Sequence, residues 1–116
     1  MMFIEYSKCS TCIRAKKFLD NNKIKYIDRA IKEDTPNVEE LTNWINKFNL
    51  NINKLFNTSG LVYRELNLKD KLNTMNDNDK IKLLASNGML IKRPILVDNN
   101  IFLIGFKENE WKEKLL

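Results

Sequence analysis

Phe3-Ile4-Glu5-Tyr6 reads as a short β-type run, and within four residues it gives way to a helical stripe. Cys12, Ala15 and Leu19 recur at i, i+3 and i+7 with Phe18 beside them, while Lys16, Lys17 and Asp20 can face water. The pattern predicts a helix over residues 11–22, stopped at Asn21-Asn22, and a second strand over residues 25–31. Two strands joined by one helix make a β-α-β unit. Such a unit implies a parallel strand pair, which in turn needs helices to cover the sheet.

The remaining elements extend that start. Thr35-Pro36 predicts a helix start, because the Thr hydroxyl can accept an orphan N–H and Pro at the first helical position gives up no needed donor. A helix to about Phe48 follows, with Val38, Leu41, Ile45 and Phe48 on one stripe that reads as core. Asn57-Thr58-Ser59-Gly60 breaks the chain before an amphipathic piece at 61–66, and Asn76 or Asp77 opens another helix through about Ala85. After Asn87-Gly88, β-rich runs at 89–98 and 101–104 meet at Asp98-Asn99-Asn100, a hairpin signal. Glu108–Leu115 offers Trp111 and Leu115 at i, i+4 for docking.

The order is βαβ, several helices, ββ, α, which predicts an α/β chain of thioredoxin type. Its sheet is mixed and four-stranded, with a helical insertion at about 35–88 between the second and third strands. A length of 116 residues with 3 Gly and 2 Pro predicts a single domain over 1–116 without a flexible linker.

Composition removes several chemistries. The chain has no His, which excludes Ser-His-Asp and Cys-His dyads, HExxH metalloproteases and mixed Cys/His zinc sites. Two cysteines cannot supply a four-thiolate site either, so no metal is expected. The net charge of +5 could favour anionic partners, but only 4 of the 20 cations are Arg and the lysines are scattered among acids. Direct sequence-specific DNA binding is therefore not expected. No apolar run reaches signal or membrane-span length, which predicts a cytoplasmic location and no membrane partner. In a reducing compartment a cysteine pair is more readily reactive than a permanent staple.

Cys9-Ser10-Thr11-Cys12 stands where the first strand passes into the first helix. Unpaired N–H groups and the positive end of the helix dipole stabilise an anion at such a position, so a thiolate is favoured at Cys9. Cys9 falls at the turn, nearer solvent, and Cys12 on the apolar stripe. This assigns Cys9 as attacking thiolate and Cys12 as resolving thiol, with an internal disulfide within reach at this spacing. A zinc half-site, or a reactive Cys9 beside an inert buried Cys12, are the alternatives.

Arg93-Pro94 precedes the Ile95-Leu96-Val97 run. Pro94 reads either as punctuation at a strand start or as a cis residue whose turn lies against Cys9 and offers backbone groups to a substrate. Arg93 would supply fixed positive charge beside the thiolate, with Lys92 as its neighbour. Ser10, Thr11, Lys92, Arg93 and Pro94 are thus the predicted substrate-binding residues, and Cys9, Cys12 and Arg93 the catalytic ones.

An ordered set of segments along almost the whole chain resembles the ArsC-like family, which includes glutaredoxin-linked arsenate reductases and Spx/MgsR-type regulators. The set is Tyr6-Ser7-Lys8-Cys9-Ser10-Thr11-Cys12 with Ala15-Lys16, then Leu55-Phe56-Asn57-Thr58-Ser59-Gly60, Tyr63-Arg64-Glu65-Leu66, Met89-Leu90-Ile91-Lys92-Arg93-Pro94-Ile95 and Gly105-Phe106. The resemblance implies a thioredoxin fold, Cys9 as nucleophile, a cis bond before Pro94 and recycling by glutathione, glutaredoxin or thioredoxin. Arsenate reductases of this type hold the oxyanion with three arginines. Here Arg93 matches one, and Asn57 and Gly105 stand at the other two positions, so two bidentate donors are missing. The phosphatase-like arsenate reductases need Cys-x5-Arg, whereas Cys9 and Arg14 are spaced Cys-x4-Arg. The regulators use a CxxC switch and bind the RNA polymerase α subunit; at their polymerase-facing Arg and Gly positions this chain has Asn46 and Asn51. The resemblance therefore implies a thiol-disulfide oxidoreductase of the arsenate-reductase-like kind, with a redox-sensing regulator as the second reading.

Overall fold

The computed structural model describes residues 1–116. In chain order its regular elements are β1 (Met2–Glu5), α1 (Ser10–Asn21), β2 (Ile27–Ala30), α2 (Val38–Phe48), α3 (Leu61–Glu65), α4 (Leu68–Lys71), α5 (Asp77–Ser86), β3 (Ile95–Val97), β4 (Phe102–Ile104) and α6 (Glu108–Leu115). Short 3-10 turns lie at Ile52–Leu55, Leu72–Thr74 and Gly88–Leu90. The chain divides into two compact units, one of residues 1–30 with 93–116 and one of residues 31–92.

The first unit holds the sheet, in the order β2-β1-β3-β4. β1 runs parallel to β2 with Met2 opposite Ile27, and antiparallel to β3 with Phe3 opposite Leu96. β3 and β4 form the expected hairpin, with Leu96 opposite Leu103. Its turn is closed by Asp98, whose Oδ1 accepts from the N–H groups of Asn100 at 2.9 Å and Ile101 at 3.0 Å. On one face Phe3, Ala15, Phe18, Leu19, Leu96, Leu103 and Trp111 form a buried cluster. Trp111 sets its ring edge-on to Phe106, Phe3 and Phe18, at centroid distances of 5.0, 6.5 and 6.4 Å, and its Nε1–H donates to the Gly105 carbonyl at 3.1 Å. α6 thus docks through Trp111.

β2 begins two residues later than the sequence predicts. Lys23 adopts a left-handed backbone, φ 56°, and the N–H of Ile24 donates back to the Leu19 carbonyl at 3.0 Å, so the end of α1 is still being capped there. As the edge strand β2 is largely exposed, and its Asp28 is tied to the layer below by Lys16 of α1. Lys16 Nζ lies 2.7 Å from Asp28 Oδ2 and 3.3 Å from Glu5 Oε2. Glu5 itself is buried.

In the second unit, α2 starts at Val38 because Asn37 and Glu40 form a reciprocal capping box: Asn37 Oδ1 accepts from the Glu40 N–H at 2.8 Å, and Glu40 Oε1 from the Asn37 N–H at 3.2 Å. This corrects the Thr35-Pro36 start, since the Thr35 hydroxyl donates to the Ile31 carbonyl at 2.7 Å instead. Of the α2 stripe, Leu41 is fully buried while Val38 is 43% exposed, so Val38 is not core. The predicted strand at 89–98 is also shortened. Asn87 Oδ1 accepts the Met89 N–H at 2.9 Å and curls residues 88–90 into a 3-10 turn. Ile91 then makes an isolated antiparallel bridge to Phe56, flanked by Asn57 N–H to Leu90 carbonyl and Lys92 N–H to Leu55 carbonyl, each 2.7 Å. Gly88 permits this bend, because a Cβ there would lie 2.1 Å from the Ile31 carbonyl oxygen. No helix is long and apolar enough to cross a membrane.

The Glu5–Asp28–Lys16 cluster makes stability depend on pH. Burial, then the hydrogen bond and charge of Asp28, push the Glu5 carboxyl from 4.5 up to about 7, with Lys16 opposing. For Asp28 burial pushes upward, but the Glu5 hydrogen bond and Lys16 outweigh it and hold the carboxyl below its ordinary value. Glu5 thus binds its proton more tightly folded than unfolded. Its contribution is complete below about pH 4.5 and is lost as pH rises through 7, while that of Asp28 is lost on acidification. Thermal melts should therefore show the melting temperature falling by on the order of 5 °C between about pH 5.5 and 8.5, and Glu5→Gln should flatten that slope. A wild-type slope of the opposite sign contradicts the assignment.

Candidate active site

β1 ends at Glu5, and the chain turns through Tyr6-Ser7-Lys8 into α1. The turn is closed by the Cys9 N–H donating to the Tyr6 carbonyl at 3.1 Å. Cys9 is the N-cap of α1, with extended backbone at φ −91° and ψ 118°. Its carbonyl accepts from the Ile13 N–H at 3.0 Å, and its Sγ accepts from the Cys12 N–H at 3.4 Å. Sulfur occupies the place that a Ser or Asp oxygen takes at an ordinary cap. The N–H groups of Ser10 and Thr11 belong to the first turn, which has no intrahelical acceptors, so the cap sulfur faces a cluster of donors and the positive end of a twelve-residue helix.

Both cysteines are free thiols, Cys9 half-buried and Cys12 fully buried. They sense each other. Burial is the main cause that pushes the Cys12 thiol up to about 12; a hydrogen bond with Cys9 and the Cys9 charge push the same way, while the Tyr6 backbone and the Arg93 charge pull it down. Ser10 is exposed and Thr11 half-buried, both in the first turn of α1.

Arg93 and Pro94 belong to the same unit as the cysteines, and the peptide bond between them is cis. The Arg93 guanidinium carbon sits 5.3 Å from the centre of the Tyr6 ring. Pro94 is buried, and its carbonyl already accepts from the Gly105 N–H at 2.8 Å, so that acceptor is engaged within the protein. Lys92 is exposed and belongs to the other compact unit, its N–H given to Leu55. Cys9, Cys12 and Arg93 are therefore brought into one unit, and Lys92 falls in the other. Tyr6 is the member that sequence reasoning missed; its signal was an aromatic residue three positions before the first cysteine.

The two positions that correspond to the missing arsenate-binding arginines have other duties. Gly105 is buried with φ 70°, a left-handed conformation that an arginine adopts only with strain, and its carbonyl receives Trp111. Asn57 gives its N–H to Leu90 and accepts the Ser59 hydroxyl at 3.3 Å.

The cap geometry predicts that Cys9→Ser and Cys9→Ala will differ in stability. Ser replaces one acceptor by a better one, so its melting temperature should stay at or above that of the wild type, whereas Ala should cost about 1 kcal/mol. Equal melts for the two variants would show that the sulfur does not cap the helix.

Comparison with known proteins agrees with this geometry. Residues 4–114 match the model of the ArsC family. The uncharacterized protein YusI of Bacillus subtilis is 45% identical over 113 residues, covering 97% of this chain and 96% of its own. The regulatory protein MgsR of the same organism is 30% identical over 110 residues, covering 95% and 86%. Among solved structures, an ArsC family related protein from Bacteroides fragilis superposes with a TM-score of 0.92 at 50% identity over 97% of this chain and 94% of that one. An arsenate reductase from Vibrio cholerae does so with a TM-score of 0.83 at 28% identity over 99% and 96%. A mixed four-stranded sheet with helices, a CxxC at the head of α1 and this match over nearly the whole length place the chain in the ArsC family.

Proposed function

We propose that the protein is a thiol-disulfide oxidoreductase of the arsenate-reductase-like kind, acting through Cys9 and Cys12. The observation that carries this reading is the half-exposed Cys9 sulfur at the N-cap, which accepts the backbone N–H of Cys12, the residue whose buried thiol lies one turn along the helix. A thiolate at Cys9 attacks one sulfur of a substrate disulfide, forming a mixed disulfide and releasing the first substrate thiolate. The Cys12 thiol then gives its proton to solvent, and its sulfur attacks Cys9 Sγ. The second substrate thiolate leaves and the Cys9–Cys12 bond forms. Two electrons have passed from the protein to the substrate, and two equivalents of glutathione, or one dithiol of glutaredoxin or thioredoxin, restore the pair.

Arsenate is disfavoured as substrate. One arginine, Arg93, stands near the pair, and Gly105 has a backbone built for glycine. Ser10, Thr11 and the cis-Pro94 turn supply the shape against which a disulfide would lie, and Arg93 its positive charge. Recycling by those reductants would require a reducing compartment, so the proposal includes a cytoplasmic location.

Turnover of a mixed disulfide of glutathione, followed with glutathione, glutaredoxin or thioredoxin as reductant, tests the proposal. Wild type should turn over, Cys9→Ser should lose at least about a hundredfold, and Cys12→Ser should accumulate a trapped adduct on Cys9. No turnover with any of the three reductants, or unchanged turnover in Cys9→Ser, defeats it.

The similarity to MgsR favours one second reading, a redox-sensing regulator that binds the RNA polymerase α subunit. At the positions compared with the polymerase-facing pair, Asn46 is exposed on α2 and Asn51 is occupied in capping the 52–55 turn, its Oδ1 accepting from the Asn53 N–H at 3.1 Å. Retention of the α subunit by the reduced or the oxidised protein would favour this reading; retention by neither would end it.

A further inference from the structure

Tyr6 is drawn into the site by two separate contacts. Its carbonyl accepts the Cys9 N–H at 3.1 Å, and its ring lies 5.3 Å from the Arg93 guanidinium carbon. The backbone contact fixes where the ring stands relative to Cys9, whose sulfur in turn accepts the Cys12 N–H. The ring in turn gives the long Arg93 side chain a face to rest on, which a guanidinium prefers for its planarity and weak hydration.

Resolution by Cys12 is the step that needs help. The thiol is fully buried, and burial alone disfavours its anion. The Cys9 charge opposes ionisation in the reduced pair, but it vanishes once Cys9 is in a mixed disulfide. Burial then weighs against the attacking sulfur, and the Arg93 charge offsets part of that cost. A guanidinium on a rotamer-rich side chain serves this purpose only if it is held in place.

We propose that Tyr6 is a positioning residue whose ring holds the Arg93 guanidinium where it offsets the negative charge developing on Cys12 Sγ as that sulfur attacks the Cys9 mixed disulfide. The inference rests on the reading of the pair as a thiol-disulfide exchange centre. It assigns the work to the ring rather than to the phenol oxygen.

The test separates the two sulfurs in time. Reduced protein is mixed with 5,5′-dithiobis(2-nitrobenzoate), and release of the coloured aromatic thiolate is followed by stopped flow. Attack by Cys9 releases the first equivalent at a rate proportional to reagent; attack by Cys12 on the Cys9 adduct releases the second at a rate independent of it. Tyr6→Leu should slow the second phase about tenfold at every pH between about 6 and 9, leaving the slope of log rate against pH unchanged. Tyr6→Phe should stay within about twofold of wild type, and in an Arg93→Gln background Tyr6→Leu should add less than about twofold. Should Tyr6→Leu melt at a lower temperature, Tyr6→Met, which keeps the bulk without the ring, takes its place with the same expectation. A second phase unaffected by loss of the ring, or slowed equally with and without Arg93, overturns the role of Tyr6. A wild type that shows no second phase instead overturns the exchange reading beneath it.

Discussion

The contact on which the site depends is the hydrogen bond from the Cys12 N–H to the Cys9 sulfur. It makes Cys9 the N-cap, and the cap fixes how the chain enters α1, which sulfur meets solvent and which lies against the sheet. Moved one residue earlier, Cys9 would lie outside the reach of the helix donors. One residue later, it would be part of the first turn and Cys12 would rotate off the buried stripe of Ala15, Phe18 and Leu19.

Packing explains why that cap is rigid enough to matter. β1 carries the turn and is an inner strand, flanked by β2 and β3. Phe3 anchors it in the same cluster as Leu19 and Trp111, so one body of hydrocarbon grips both the strand that enters the turn and the helix that leaves it. The cluster also holds α6, through Trp111 and the Gly105 carbonyl, and Gly105 in turn donates to the carbonyl of Pro94. The loop that presents Arg93 is thus fastened to the same core as the loop that presents Cys9.

Much of this was legible in residue order. The β-α-β start follows from a period that switches from two to 3.6 and back, the hairpin from Asp98-Asn99-Asn100, and α6 from Trp111 and Leu115, because each signal is local. Legibility failed where side chains compete for the same backbone groups. Thr35 and Asn37 are both plausible caps, and the outcome turns on Glu40, three residues beyond Asn37, and on a carbonyl of Ile31 that takes the Thr35 hydroxyl. Residues 89–92 look like strand because Leu90 and Ile91 are buried, yet Asn87 bends them first. The place of Tyr6 was hidden for a different reason, since its partner Arg93 lies far away in the chain and only the sheet brings them together.

The central claim is that Cys9 and Cys12 exchange electrons as one unit, and it is tested most directly by equilibrating the protein in glutathione buffers of graded redox ratio, quenching with acid and mapping the thiols by mass spectrometry. The account predicts a single two-electron transition between the dithiol and an internal Cys9–Cys12 bond, with glutathione on Cys9 only in trace amounts. A stable glutathione adduct on Cys9 beside an unmodified Cys12, across all ratios, would contradict it.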